Sequence, residues 1–213
     1  MRTEELVDLL STSVSPTHSG VAMRRITTAL LVAAIGACLL MVTVYGVRPD
    51  IASVTPTPLF WGKLAFPFVL SVGALFATTR LSRPGASARL SWPIIATPIA
   101  CVWVAGIAAI ITTTPKNRML VLLGHSWQSC PFNILLLSIP GFVAIFLAVR
   151  ALAPTQLRQA GAASGLLAGA VASVAYCFHC PEMSPTFWSV WYLLGMALSA
   201  ACGALLGPKL LRW

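Results

Sequence analysis

The stretch QAGAASGLLAGAVASVAYCFHCPE, residues 159–182, decides how the rest of the chain is read. From 159 to 181 it is an apolar run interrupted only by His179 near its end. At about 1.5 Å of rise per residue, such a run is long enough to cross a hydrocarbon core of about 30 Å. It then closes on Cys177, His179, Cys180 and Glu182, which puts thiols, an imidazole and a carboxylate at one face of a membrane.

Five further runs of the same kind flank it, at 26–47, 59–79, 90–115, 128–149 and 186–208. The only charge inside any of them is Lys63, near the end of its run, where its stem is expected to snorkel to the interface. Of the 213 residues, 58% are hydrophobic and 9% charged, and the mean hydropathy is +0.86. A soluble domain carries about 25% charged residues, so there is too little polar surface here to face water. The expected fold is all-α: a polytopic membrane protein in the lipid bilayer, with residues 1–25 as a tail and 26–213 as a domain of six transmembrane helices.

The net charge of +9 sits between the apolar runs, which marks it as a topology signal rather than a nucleic-acid surface; no direct nucleic-acid contact is expected. Six spans place both termini on one side. Arg2, Arg24, Arg25, Arg80, Arg83, Arg89, Arg150, Arg158, Lys209 and Arg212 are ten basic residues on that side, against four (Arg48, Lys63, Lys116 and Arg118) on the other. The excess predicts cytoplasmic termini, with Asp50, His125, Cys130, His179, Cys180 and Glu182 at the outer face. Small residues recur every four positions at Gly161, Gly165, Gly169, Ser173 and Cys177, and again at Gly195, Ser199, Gly203 and Gly207. Such stripes let helix backbones approach closely in lipid.

The run interiors lack the acids and bases that transporters and channels use. No phosphate loop, zinc-protease helix or serine elbow is present, so neither catalysis nor a constitutive cofactor is expected. Of the six cysteines, Cys38, Cys101 and Cys202 fall inside runs and read as packing residues. Three readings fit Cys130 and Cys180, which are matched in depth and each followed by proline: ordinary buried thiols, a structural disulfide, or a sensor that binds a soft metal ion or is oxidised. In the third, His125, His179 and Glu182 would add ligands or favour the thiolate. Cys177 belongs equally to the small-residue stripe. At the start of the chain Thr3 can cap a helix, with Glu4 and Glu5 in its first turn. Leu6, Leu9 and Leu10 share a face that Val14 extends, Asp8 lies beside it, and Pro16 ends it. This segment reads either as a tail resting on the membrane or as a helix that enters a partner's groove.

The chain resembles the NrsF-type anti-sigma factors. The residues that carry the resemblance are Thr3-Glu4-Glu5-Leu6-Val7-Asp8-Leu9-Leu10, Gly46-Val47-Arg48-Pro49-Asp50, and Gly124-His125-Ser126 with Cys130. To these are added His179-Cys180-Pro181-Glu182 with Phe187 and Trp191, and the closing Leu210-Leu211-Arg212-Trp213. Where the family often carries His after the aromatic of its last span, this chain has Tyr192. The resemblance implies a six-span protein of the bacterial inner membrane. It implies that the tail holds an extracytoplasmic-function sigma factor; residues 1–16 are then expected to place Leu6, Leu9 and Leu10 in an apolar groove and Glu4, Glu5 and Asp8 at its rim. It implies that Cys130 and Cys180 sense heavy metal or oxidative stress. A membrane thiol-disulfide oxidoreductase using quinone is the alternative from another class; it needs successive redox pairs on one face, and this chain offers at most three outer cysteines.

Overall fold

The computed structural model describes residues 3–5, 20–83 and 85–212. Thr3, Glu4 and Glu5 are helical and exposed. Leu6, Asp8, Leu9 and Leu10 lie outside the described residues.

Among the described residues the long elements are six helices: α1, Gly20–Leu40; α2, Pro58–Leu81; α3, Ser91–Thr112; α4, Cys130–Arg150; α5, Leu157–Tyr176; and α6, Leu193–Leu210. A wider turn, Met41–Tyr45, continues α1, and Gly46 (φ 74°) ends it. The segments Pro185–Phe187 and Trp188–Tyr192 lead without a break into α6. Two prolines sit where a missing N–H costs nothing: Pro58 opens α2 behind a Thr57 cap, and Pro131 follows Cys130 in the first turn of α4, while Pro67, Pro98, Pro140 and Pro208 lie inside helices.

Five of these helical stretches are long and apolar enough to cross a membrane: Gly20–Tyr45, Pro58–Leu81, Ser91–Thr112, Cys130–Arg150 and Pro185–Leu210. The fifth helix in chain order, α5, is not among the five. It is made largely of Gly, Ala and Ser, which lower its hydropathy, and it is the most enclosed of the six. It packs against α6, α2, α4 and α1. The helix α3 lies at the periphery, against α2 and residues 185–192.

The inside of the bundle is small and the outside large. The face that α1 buries is Ala29, Ala33 and Ala37, while Leu31, Ile35, Leu39 and Val42 point outward. In water this distribution would waste the hydrophobic effect; in lipid, close backbone approach is what draws helices together. The two predicted stripes meet each other: a Cβ on Gly161 would strike the Gly203 carbonyl, one on Gly165 the Ser199 carbonyl, and one on Gly207 the Leu157 carbonyl. Cys38 and Cys101, expected as packing residues, instead face outward, and Cys202 is half-buried; a thiol on the lipid side of a helix needs no partner.

Candidate functional site

The turn after α5 builds the site. The helix ends at Tyr176 because the amide groups that follow tighten: Phe178 N–H donates to Ala175 O at 3.2 Å and His179 N–H to Tyr176 O at 3.0 Å. Cys177 and Cys180 therefore lie on a compact turn at the helix end, where Cys180 N–H still donates to Tyr176 O at 3.0 Å. Cys130 opens α4 beside them. The three cysteines are fully buried, are free thiols, and belong to one cluster with Tyr176 and Tyr192.

Lys63 departs most from expectation. Rather than snorkelling to an interface it is fully buried, and its ammonium donates to the Cys180 carbonyl at 2.6 Å. The same nitrogen lies 5.7 Å from the centre of the Tyr192 ring, a cation–π distance, and the Cys177 thiol donates to the Lys63 carbonyl at 3.6 Å. The Tyr192 hydroxyl is buried next to Cys177 and Cys180.

Arg48 reaches the same carbonyl from the α1–α2 connection. Its Nη1 donates to Cys180 O at 3.2 Å, while Nε and Nη2 hold the two Asp50 oxygens at 2.7 and 2.6 Å. That two-point grip is strong and directional. It holds the Asp50 carboxyl below the ordinary aspartate value and raises Arg48 above its own. The backbone joins in: Arg48 N–H donates to Phe178 O at 3.0 Å, and His179 Nδ1 lies 3.0 Å from Gly46 O. Below them Tyr45 OH donates to Asn133 Oδ1 at 3.0 Å and Asn133 Nδ2 to Tyr176 OH at 3.2 Å.

The predicted ligand set separates into two groups. His125 is 83% exposed in its side chain and turns to Glu182, 14% exposed, with Nδ1 3.5 Å from Oε1. Glu182 Oε1 also accepts from the His125 amide at 2.6 Å, and the carboxylate fills the space a Cβ on Gly124 (φ 58°) would need. His179 is committed to Gly46. Neither imidazole nor the carboxylate is directed to the sulfurs, and among the described residues no group of three or more His, Cys, Asp and Glu is placed to hold a metal ion. What meets at this end of the bundle is the buried free thiols Cys130, Cys177 and Cys180, with the Lys63 ammonium on the Cys180 carbonyl. Sequence reasoning missed that Lys63 and Arg48, with Asp50 behind Arg48, converge on the Cys180 carbonyl. The one signal available was that Lys63 is the lone charge within an apolar run.

A family model described as "NrsF: Negative regulator of sigma F" matches residues 10–213. A protein of Azospira oryzae, "Probable anti-sigma-F factor NrsF", is 42% identical over 213 residues, covering all of both chains. A protein of Caulobacter vibrioides, "Anti-sigma-F factor NrsF", is 36% identical over 214 residues, again covering all of both. No solved structure matches the chain.

Proposed function

This chain belongs to the NrsF family, negative regulators of sigma F, and from that premise we propose that it is a multi-pass anti-sigma factor of the bacterial inner membrane. The observation that carries the reading is the match, over the full length of both chains, to relatives named as anti-sigma-F factors. In this reading α5 is the sixth span and both termini are cytoplasmic, a topology favoured by the ten-to-four split of basic residues. The partner is an extracytoplasmic-function sigma factor. Residues 1–16 hold it, with Leu6, Leu9 and Leu10 in an apolar groove and Glu4, Glu5 and Asp8 facing basic residues at its rim.

Release follows when Cys130 and Cys180 take up a soft metal ion or are oxidised. Two thiols without an available imidazole or carboxylate suit a soft cation far better than a hard one. Oxidation would join the two sulfurs, with two electrons and two protons passing to the oxidant. Supporting either chemistry is the nearness of two free thiols at one end of the bundle.

Two measurements test the reading. Burying one leucine contributes about 1.5–3 kcal/mol, so Leu9→Asp or Leu10→Asp is expected to weaken sigma capture about tenfold or more, with the protein still inserted. Unchanged capture by the variants would move the partner site to a cytoplasmic loop. In a sigma-dependent reporter challenged with heavy metal or oxidant, Cys130→Ser and Cys180→Ser are each expected to abolish the response and keep capture. A full response from the double variant would leave these residues as packing.

A further inference from the structure

The motif 46–50, Gly-Val-Arg-Pro-Asp, and the buried Lys63 have no part in the function as described so far, yet both converge on one atom, the Cys180 carbonyl oxygen. We propose that this two-cation clamp couples the thiol centre to the partner-binding tail: a displacement of Cys180 passes through Arg48 to α1 and through Lys63 to α2. The inference rests on the reading above and names the route by which that site regulates.

Three features of the geometry carry it. First, the clamp is directional. Asp50 occupies two of the guanidinium nitrogens and fixes its plane, which leaves Nη1 aimed at the carbonyl, while the Lys63 ammonium approaches the same oxygen from α2. Charge-assisted bonds in a buried setting resist being stretched, so the carbonyl and its two cations move as a unit. Second, residues 46–48 are fastened to 178–179 by one backbone bond, Arg48 N–H to Phe178 O, and by the His179 ring at Gly46 O. The turn that carries Cys180 and the outer end of α1 are therefore one piece. Third, that end of α1 is the wider turn Met41–Tyr45, closed by Gly46 N–H donating to Met41 O at 2.9 Å. Wide turns of this kind mark places where a helix can change register, and they concentrate at functional sites. The opposite end of α1 is Gly20, next to the tail that holds the partner in the proposed reading. By comparison, the α4–α5 connection meets α1 through the bond from Arg25 to Ala151 O, at an exposed position.

A stimulus shifts the molecule only if it binds its two states differently, and sites coupled in this way commonly influence each other about 5- to 150-fold. The test uses the full chain, with Cd2+ as the soft-cation probe. Binding is measured on purified protein, and response is measured in cells with a sigma-dependent reporter. Arg48→Met and Lys63→Met keep the bulk and remove the cation. Each is expected to bind Cd2+ within about threefold of the parent and to capture sigma, while the response falls about tenfold or more. Arg48→Lys, which restores a cation without the fork, is expected to recover part of the response. A full response from both Met variants overturns the inference. Loss of Cd2+ binding in parallel with the response also overturns it, because the cations would then only build the site. If neither Met variant accumulates in the membrane, Asp50→Asn decides: it frees the guanidinium without emptying a buried position. A reduced response with unchanged Cd2+ binding supports coupling, and an unchanged response rejects it. Failure of the underlying reading looks different, since the Cys130→Ser, Cys180→Ser double variant would then respond fully.

Discussion

Lys63 and Arg48 both direct hydrogen bonds at Cys180 O, and Arg48 is ion-paired with Asp50, an acid that leads to a pH prediction. The Asp50 carboxyl is held below its ordinary value of 3.8, chiefly by its hydrogen bonds from Arg48. A carboxyl depressed in the folded state adds stability that is fully present above its unfolded value and is lost as pH falls through the folded one. The gap in melting temperature between the parent and Asp50→Asn is therefore expected to hold steady from about pH 8 to about pH 5 and to close as the carboxyl protonates at lower pH. A gap that does not change with pH, measured on purified protein in detergent, would show that the pair contributes nothing through its charge. Residue by residue, the site was half legible. The nearness of Cys130 and Cys180 could be read because each stands at the end of an apolar run and is followed by proline. Lys63 could not: a single lysine near the end of a run ordinarily reaches for water, and nothing local shows that the turn after α5 will present a bare carbonyl to it. His125, His179 and Glu182 lie at the same end of the bundle as the thiols, but their partners are Glu182, Gly46 and His125 in turn, because backbone carbonyls and amides compete for these groups on equal terms.

Between elements, the contact of α5 with α6 rests on backbone meeting backbone. A Cβ added at Gly165 would strike the Ser199 carbonyl, and one at Gly203 the Gly161 carbonyl; neither neighbour is a flexible side chain that can turn aside. Gly165→Ala is therefore expected to cost about 1–3 kcal/mol, and Gly165→Leu more, by forcing the two helices apart. Gly62 is the control, with nothing within 4 Å of its added Cβ, so Gly62→Ala is expected to change stability by no more than about 0.5 kcal/mol. Equal losses from the Gly165 and Gly62 variants in thermal unfolding would remove the stripes as the reason the helices meet. This contact was legible from the four-residue spacing alone, because a small-residue stripe has no other economical use in lipid. The helix ends were less so. The first helix begins at Gly20, ahead of the expected 26, because a boundary read from apolarity stops at Arg24 and Arg25, whereas backbone hydrogen bonding does not. The regular part of α5 ends at Tyr176, ahead of 181, where the chain tightens into the cysteine turn.

For the molecule as a whole, the decisive question is whether α5 crosses the membrane, since five spans would put the termini on opposite faces and six put them on the same face. By composition α5 falls outside the five apolar helices. Its contacts favour a crossing. At one end of the bundle Arg25, near the start of α1, donates to Ala151 just before α5. At the other end the residues just after α1 are fastened to Phe178 and Cys180 just after α5. The two helices therefore run between the same pair of ends in the same direction, and the depth that α1 spans is the depth available to α5. A helix rich in Gly, Ala and Ser can lie there because it faces other helices rather than lipid, so its low hydropathy costs little. The basic residues agree: those assigned to the termini side include Arg25 and Arg150, while Arg48 and Lys63 meet at the thiol end. Reporter fusions placed after Trp213 and within residues 183–185 are accordingly expected to report opposite faces, the first cytoplasmic and the second outside. A fusion after Trp213 that is active only outside would reduce the count to five. It would also leave the tail and the chain's end on different faces, and remove the argument that a stimulus met by Cys130 and Cys180 outside is answered by a partner held within.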